Sequence, residues 1–201
     1  MTVLGITGPS GAGKSLCSDY LKTIGIPVID ADEVYHGLLL PPSPCLDALR
    51  DAFGNKIFFG DGTLNRPALS EIVFHDQEKL ALLNRTVLGF VLEEIRRLLR
   101  EFETEGKPVV AVDAPTLIES GFHKECTLVI SVLSSPETRL SRIMTRDHLT
   151  REAAEARIHA QREDDFYRRH SHAVLLNEDD PQQFFASVAT LLDSLGLCPT
   201  S

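Results

Sequence analysis

Residues 3–15 read VLGITGPSGAGKS, and this stretch decides the fold. Its first five residues, Val3–Thr7, form an apolar run with the composition of a buried strand, and Leu16–Ile24 continues as a helix. The turn between them, Gly8–Ser15, matches the pattern G-x-x-x-x-G-K-[ST]. Glycines let the backbone N–H groups of such a loop approach phosphate oxygens, and the helix start adds donors and a partial positive charge. The sequence therefore predicts a site for a nucleoside triphosphate.

The motif assigns a role to each part of this loop. We expect Lys14 to reach the β- and γ-phosphates and the hydroxyl of Ser15 to bind Mg²⁺. The expected nucleotide-binding residues are Gly8, Pro9, Ser10, Gly11, Ala12, Gly13, Lys14, Ser15 and Leu16. The alternative is a glycine-rich turn with a purely structural role. The motif does not separate a kinase from a motor, but the Asn-Lys-x-Asp motif typical of GTPases is absent from the sequence.

Outward from the loop, short apolar runs alternate with helical patterns. Buried strands are predicted at Val3–Thr7, Pro27–Asp30, Val109–Asp113, Leu128–Leu133 and Ala173–Leu176. Helices are predicted at 14–24, 67–73, 77–104, 136–147, 150–168 and 181–195. This alternation indicates an α/β fold with a parallel sheet covered on both faces. No buried strand is predicted between about residues 33 and 107, which we interpret as a helical insertion between the second and third strands.

Composition excludes several classes of protein. The 201 residues include 29 acidic and 20 basic side chains, giving a net charge of −9. This charge argues against a surface that binds nucleic acid or an anionic membrane. No apolar run reaches 18 residues, and no signal peptide is expected at the start. The four cysteines lie far apart in sequence, at Cys17, Cys45, Cys126 and Cys198. This spacing favours reduced thiols and a cytoplasmic protein.

Acidic residues follow two of the predicted strands. Asp30 and Asp32 follow the second strand and Asp113 ends the third, and ligands of such sheets bind at the carboxyl ends of the strands. We expect Asp32 to be catalytic, as an acceptor for a substrate hydroxyl proton. Asp30 and Asp113 are candidate Mg²⁺ ligands acting through water. The alternatives are that Asp32 caps the next helix and that Asp113 is an incidental acid at a strand end.

Arginines concentrate late in the chain. Residues 139–169 hold eight of the fourteen arginines and no lysine. Arg139, Arg142 and Arg146 share one helical face and could stabilise the charge of a transferring phosphoryl group. The helices carrying them could close over ATP and exclude water. The alternative is ion pairing on a solvated surface, for example between Arg146 and Asp147.

These residues together resemble the dephospho-CoA kinase family, along about residues 2–180. The most specific part is Asp30-Ala31-Asp32 followed by Asp61-Gly62-Thr63-Leu64-Asn65-Arg66. The further matches are Leu69, Phe74, Leu83-Asn84, Pro115-x-Leu117-x-Glu119, Ser135–Thr138, Arg142, Arg146-Asp147, Arg157-Ile158-x-Ala160-Gln161 and Asn177. Leu88-Gly89 stand where the family usually has His-Pro.

The resemblance implies an ATP-dependent phosphorylation of the 3′-hydroxyl of dephospho-CoA, giving coenzyme A and ADP with Mg²⁺ as cofactor. It implies a three-layer P-loop kinase fold with a five-stranded parallel sheet. The nucleotide core would comprise 1–32, 108–138 and 170–201, the acceptor-binding helical insertion 33–107, and the arginine-rich lid 139–169. The alternatives are another small-molecule or nucleoside-monophosphate P-loop kinase and a non-catalytic ATP-binding module.

The resemblance also implies roles for individual residues. Arg142 would contact the transferring phosphate and is counted as catalytic with Lys14 and Asp32. Arg146 and Asn177 would bind ATP, with Asn177 near the adenine. The residues expected to bind the acceptor are Asp32, Arg66, Leu117 and Glu119. The expected partners are the two small-molecule substrates, without nucleic acid or membrane, for a monomer or a weak homo-oligomer.

Overall fold

A computed structural model of the chain describes residues 1–74, 76–178 and 180–197. The chain divides into two compact units. The first unit contains Met1–Ile29 and the residues from Phe102 onward, and the second contains Asp30–Glu101.

Five parallel strands form one sheet: β1 (Thr2–Thr7), β2 (Val28–Asp30), β3 (Val109–Asp113), β4 (Leu128–Leu133) and β5 (Ala173–Leu176). Their order across the sheet is β2-β3-β1-β4-β5, so β1 pairs with β3 on one side and β4 on the other. The predicted bounds of the last three strands are confirmed without change. β1 begins one residue earlier than predicted and β2 one residue later, after Pro27, which has no backbone N–H to donate.

In the described part of the chain nine α-helices accompany the sheet: α1 (Lys14–Thr23), α2 (Ala31–Leu38), α3 (Pro44–Phe53), α4 (Arg66–Phe74), α5 (Gln77–Thr104), α6 (Pro136–Asp147), α7 (Arg151–His159), α8 (Asp164–His170) and α9 (Pro181–Ser194). The prediction of one helix over 150–168 is wrong, because a turn at 160–163 separates α7 from α8. α2 and α3 lie where only general helix and turn signals are predicted.

Helices cover the sheet of the first unit on both faces. Ile130 and Val132 of β4 belong to a core that includes Leu21 of α1 and Val188 of α9. The next residue of β4, Leu133, packs with Tyr167 of α8 in a separate cluster. Because successive side chains of a strand point to opposite faces, these two clusters lie on opposite sides of the sheet. The arrangement is the three-layer α/β fold that the sequence predicts.

The second unit is helical, as predicted for this part of the chain. Among its described residues the only β pairing is an isolated antiparallel bridge between Phe58 and Leu64. Its helices begin at side-chain caps: Ser43 accepts a hydrogen bond from the backbone of Cys45 at the start of α3, where Pro44 occupies the first helical position. Asp30 caps α2 through its carboxylate, which accepts from the N–H groups of Asp32 and Glu33 at 2.8 and 3.1 Å. The alternative that Asp32 is the cap is therefore wrong.

Cys17, Cys45 and Cys126 are free thiols, and Cys198 lies outside the described residues. Burial raises the pKa of Cys17 and of Cys126 to about 12, so both thiols remain protonated at neutral pH. No helix in the described ranges is both long and apolar enough to cross a membrane.

Candidate nucleotide-binding site

The turn after β1 has the backbone of a phosphate-binding loop. Gly8 and Gly13 have φ angles of 142° and 98°, in the region that favours glycine. A Cβ on Gly8 would lie 2.1 Å from the carbonyl oxygen of Val132, and a Cβ on Gly13 would lie 1.9 Å from Nδ2 of Asn177. The glycines therefore serve two needs, the turn itself and the close approach of β4 and of Asn177 to the loop.

The helix after the loop begins without a side-chain cap. Gly13 is the N-cap of α1 and makes no side-chain cap hydrogen bond, and the first turn of the helix contains no acidic residue. Lys14 donates from Nζ to the carbonyl oxygens of Gly8 and Pro9, at 2.8 and 3.3 Å. Ser15 is exposed in this first turn. A helix start that carries a lysine and an exposed hydroxyl can bind the phosphates of a nucleotide.

The acid at the end of β3 lies beside this helix. Asp113 is 6% exposed and accepts a hydrogen bond of 2.6 Å from Oγ of Ser18 in α1. Its strand position pairs with Ile6 of β1, directly before the loop. Its negative charge adds to burial in raising the pKa of Cys17. Asp113 is thus a buried carboxylate fixed by α1, and Ser18 is a partner that the sequence did not indicate.

The three arginines predicted to share one face of α6 all contact the loop. Arg139 donates from Nε to the carbonyl oxygen of Ser10 at 3.2 Å. Arg142 donates from Nη1 to the carbonyl of Gly11 at 3.3 Å, and Arg146 from Nη2 to Oγ of Ser10 at 3.3 Å. Arg139 is 3% exposed, and burial lowers the pKa of its guanidinium. The cationic face of α6 is therefore hydrogen-bonded to Ser10 and Gly11 of the loop.

Arg142 and Asn177 join the loop to neighbouring segments. Beyond Gly11, Arg142 donates to Oγ of Ser134 at 3.0 Å, to the carbonyl of Asn177 at 3.0 Å and to that of Glu178 at 2.9 Å. Asn177 is buried and donates from Nδ2 to the carbonyl of Ala12 at 2.9 Å. Arg142 from α6 and Asn177 from the end of β5 thus both support the loop, and the expected role of Asn177 at the adenine stays a prediction.

Arg146 forms an ion pair with Asp147, as the alternative interpretation suggested. Its Nε and Nη2 donate to the two carboxylate oxygens of Asp147, each at 2.8 Å. Arg157 of α7 also donates to Asp147, at 2.6 Å. The hydrogen bond from Arg146, with the charges of both arginines, holds the pKa of Asp147 below its usual value. One carboxylate thus orients two arginines, and Arg146 contacts Ser10 at the same time.

Leu117 and Glu119, which were expected to line the acceptor side, differ in exposure. The Leu117 side chain is fully buried. Its Cδ2 lies so close to Gly5 of β1 that a Cβ on that glycine would be 2.6 Å away. Glu119 is exposed, and its charge adds to burial in raising the pKa of Tyr167 to about 12. Of the two side chains only that of Glu119 is accessible to a substrate, and Leu117 serves the core.

The expected acceptor residues of the second unit are exposed. Asp32 lies in the first turn of α2, and Arg66 is the first residue of α4. Arg66 follows a turn in which Asp61 accepts from the N–H and Oγ1 of Thr63 at 2.9 and 2.6 Å. Asn65 caps the helix by accepting from the N–H of Ala68. The Asp-Gly-Thr-Leu-Asn-Arg segment is therefore a turn that starts α4 and presents Arg66 to solvent.

The described residues contain no group of three or more His, Cys, Asp or Glu side chains arranged for a metal ion. The oxygen donors that remain are the exposed hydroxyl of Ser15 and the carboxylates of Asp30 and Asp113. A small number of protein oxygens is sufficient for Mg²⁺, because this ion usually keeps several waters and binds substrate phosphates besides one or two protein ligands.

Comparison with known proteins points to one family. A family model described as dephospho-CoA kinase matches residues 2–183. The dephospho-CoA kinase of Symbiobacterium thermophilum is 39% identical over 161 residues, which cover 80% of this chain and 67% of that protein. The dephospho-CoA kinase of Corynebacterium glutamicum is 33% identical over 192 residues, which cover 96% of each chain.

Solved structures show the same fold. A crystal structure from Thermus thermophilus matches 96% of this chain and 97% of its own, with 31% identity and a TM-score of 0.78. Dephospho-CoA kinase from Campylobacter jejuni matches 96% of both chains, with 24% identity and a TM-score of 0.72. Shikimate kinase from Acinetobacter baumannii, in complex with shikimate, matches 98% of this chain and 96% of its own, with 19% identity and a TM-score of 0.57. The last two identities support a shared fold alone.

Proposed function

The chain belongs to the dephospho-CoA kinase family, and we propose that it transfers the γ-phosphoryl group of ATP to the ribose 3′-hydroxyl of dephospho-CoA, the last step of coenzyme A synthesis. The products would be coenzyme A and ADP. The observation that carries the proposal is the phosphate loop bonded to the arginine face of α6, in a chain that matches the family over residues 2–183.

We propose that ATP binds through the loop and the first turn of α1. The amides of Gly11, Gly13 and Lys14 would donate to phosphate oxygens, and Nζ of Lys14 would exchange its loop carbonyls for the β- and γ-phosphates. The remaining proposed contacts are Gly8, Pro9, Ser10, Ala12, Ser15, Leu16, Arg146 and Asn177. Leu16 would act through its backbone, because its side chain packs against the core.

Mg²⁺ would be held by the hydroxyl of Ser15, with Asp113 or Asp30 acting through water. The ion would supply charge neutralisation between the β- and γ-phosphates. The burial of Asp113 and its bond to Ser18 support a fixed carboxylate near the start of α1.

Asp32 is proposed to orient the 3′-hydroxyl and accept its proton. Its neighbour Asp30 is occupied as the cap of α2, which leaves Asp32 exposed in the first helical turn. A carboxylate is a weak general base toward an alcohol hydroxyl. Its main contribution would therefore be orientation, with the proton transferred late in the reaction.

The charge of the transferring group would be stabilised by Arg142 and Lys14. The bond between Arg142 and the Gly11 carbonyl supports this role, because the guanidinium lies at the loop without binding a carboxylate in the described contacts. Arg66 and Glu119 would contact the acceptor, and Leu117 would support that side from the core.

The proposed regions remain the core at 1–32, 108–138 and 170–201, the acceptor insertion at 33–107 and the lid at 139–169. We also propose a cytoplasmic location and a monomer or weak homo-oligomer.

The test is a coupled assay of ADP release by the purified protein with ATP and Mg²⁺. Dephospho-CoA is the acceptor, beside AMP, CMP and shikimate at equal concentration, and Lys14→Ala supplies the background rate. Of the four acceptors, we expect only dephospho-CoA to give ADP release. We expect mass spectrometry and a coenzyme A-dependent enzyme to identify the product as coenzyme A. Preferred turnover of another acceptor would replace this proposal with a different small-molecule kinase, and ADP binding without transfer would indicate a binding module.

A further inference from the structure

One residue of the phosphate loop is held by three side chains from outside the loop. The N–H of Ser10 donates to Oε1 of Gln161 at 3.0 Å, its carbonyl accepts from Nε of Arg139 at 3.2 Å, and its hydroxyl accepts from Arg146. The first two partners are also bonded to each other, since Nη2 of Arg139 donates to the same Oε1 of Gln161 at 3.1 Å. Ser10, Gln161 and Arg139 therefore close a ring of hydrogen bonds around one residue's backbone.

Gln161 can reach the loop because the helical segment breaks there. α7 ends at His159 and α8 begins at Asp164, so Gln161 lies in the connecting turn. Arg139 also approaches Asp164 at the far end of this turn, with Nη1 to Oδ1 at 3.5 Å. The buried guanidinium of Arg139 thus ties both ends of the α7–α8 turn to the loop.

We propose that Gln161 is a positioning residue that fixes the Ser10 peptide group, together with Arg139, in the conformation in which the loop binds nucleotide. A single acceptor oxygen serves two donors here, one on the loop and one on a buried cation. Removing that oxygen leaves the Ser10 N–H and one N–H of Arg139 without this acceptor, and the cost is greatest for the buried charged donor. The inference rests on the proposed use of this loop for nucleotide phosphates and adds a residue that acts through the loop.

The variant that tests the proposal is Gln161→Met, which keeps an unbranched side chain of similar length and removes the acceptor oxygen. The matched control is Gln183→Met, at an exposed glutamine of α9. Two quantities are measured on the full chain: the amide hydrogen-exchange rate of Ser10 by NMR, and the Kd for ADP with Mg²⁺ by calorimetry.

In Gln161→Met we expect exchange at Ser10 to accelerate about tenfold and the Kd for ADP to rise about tenfold, the effect of losing one or two hydrogen bonds. Gln183→Met should leave both quantities unchanged. Gln161→Glu keeps the acceptor oxygen and should keep exchange at Ser10 slow, which makes the test independent of how Gln161→Met affects stability.

Unchanged exchange at Ser10 in Gln161→Met would overturn the proposal, whatever happens to ADP affinity. Faster exchange with an unchanged Kd would also overturn it, because the loop conformation would then not limit binding. Fast exchange in Gln161→Glu would show that the acceptor oxygen is not the cause. Neither readout requires dephospho-CoA. A wild-type protein that binds ADP without phosphorylating dephospho-CoA would therefore refute the proposed function and leave this inference standing.

Discussion

The two units of the chain differ in where they keep their polar side chains. Eight polar or charged residues are buried among those described, and seven of them belong to the first unit, with Ser43 in the second. The seven are Thr7, Ser18, Asp113, Ser131, Ser134, Arg139 and Asn177. Several bond to the phosphate loop or to α1, whereas the motif residues Asp32 and Arg66 of the second unit are exposed. The loop is therefore supported by a buried network within its own unit. The expected acceptor residues are exposed, so we expect them to tolerate substitution with little loss of stability.

The largest effect that this comparison predicts is on turnover, at Asp32. Asp32→Asn removes the proposed proton acceptor and keeps the size of an exposed side chain that is not the helix cap. We expect kcat to fall at least about a hundredfold, within the range of a positioned acid or base, with the Kd for ADP unchanged. Steady-state kinetics and calorimetry measure the two quantities.

Glu33→Gln is the control, since it changes an exposed acid of the same helical turn. Near-normal turnover in Asp32→Asn would remove Asp32 from the chemistry. A parallel loss of ADP affinity would show that the residue supports nucleotide binding instead.

Substituting one arginine in each unit should affect stability differently. Arg142→Ala should lower the Tm by roughly 4–10 °C, because it removes charged hydrogen bonds worth about 1.5–3 kcal/mol. Arg66→Ala should change the Tm by less than about 2 °C and raise the KM for dephospho-CoA about tenfold, as expected for one lost charge-assisted contact. Calorimetry and steady-state kinetics on both variants provide the measurements. Equal losses of Tm would mean that the two units do not differ in the way described.

The smallest effect concerns pH, at Glu178 of the first unit. Burial opposes its ionisation, but hydrogen bonds from Ser135 and Thr138 and the charge of Arg142 lower its pKa from 4.5. A carboxyl with a lowered folded-state pKa stabilises the fold above its unfolded pKa, and this contribution is lost as the pH falls through the folded value. Between roughly pH 6 and pH 3.5, wild type should therefore lose about 1–2 °C more in Tm than Glu178→Gln. Glu163→Gln, at an exposed acid outside these bonds, should follow wild type.

Much of the first unit could be predicted because its signals are local. Three strand bounds are found as predicted, since each is an apolar run that ends at a polar residue or a turn. The shared helical face of Arg139, Arg142 and Arg146 follows from their spacing. Their contacts with the loop depend on how α6 packs, which spacing does not show. The burial of Arg139 was not predicted, because it depends on contacts with Gln161 and Asp164, which are distant in sequence.

The errors arose where short signals compete. Asp30 and Asp32 are both good caps, and only the end of β2 at Asp30 decides between them. Ser43-Pro44 is a favourable helix start, but no separate helix was predicted there. The acids at 163–165 favour a new helix start, a signal hidden within a continuous helical pattern. Leu117 matched the family motif, but sequence alone did not reveal that it fills the space above Gly5.

The glycine at the start of α1 couples the cap of this helix to Asn177. Ser135, Thr150 and Asp180 each cap a helix of the same unit with their own side chain, whereas Gly13 has no side chain to do so. A side chain at residue 13 would collide with Asn177, so α1 cannot gain the stability of a side-chain cap without displacing that residue. If the first turn of α1 binds phosphate as proposed, bound nucleotide would supply stability that a cap gives to the other helices.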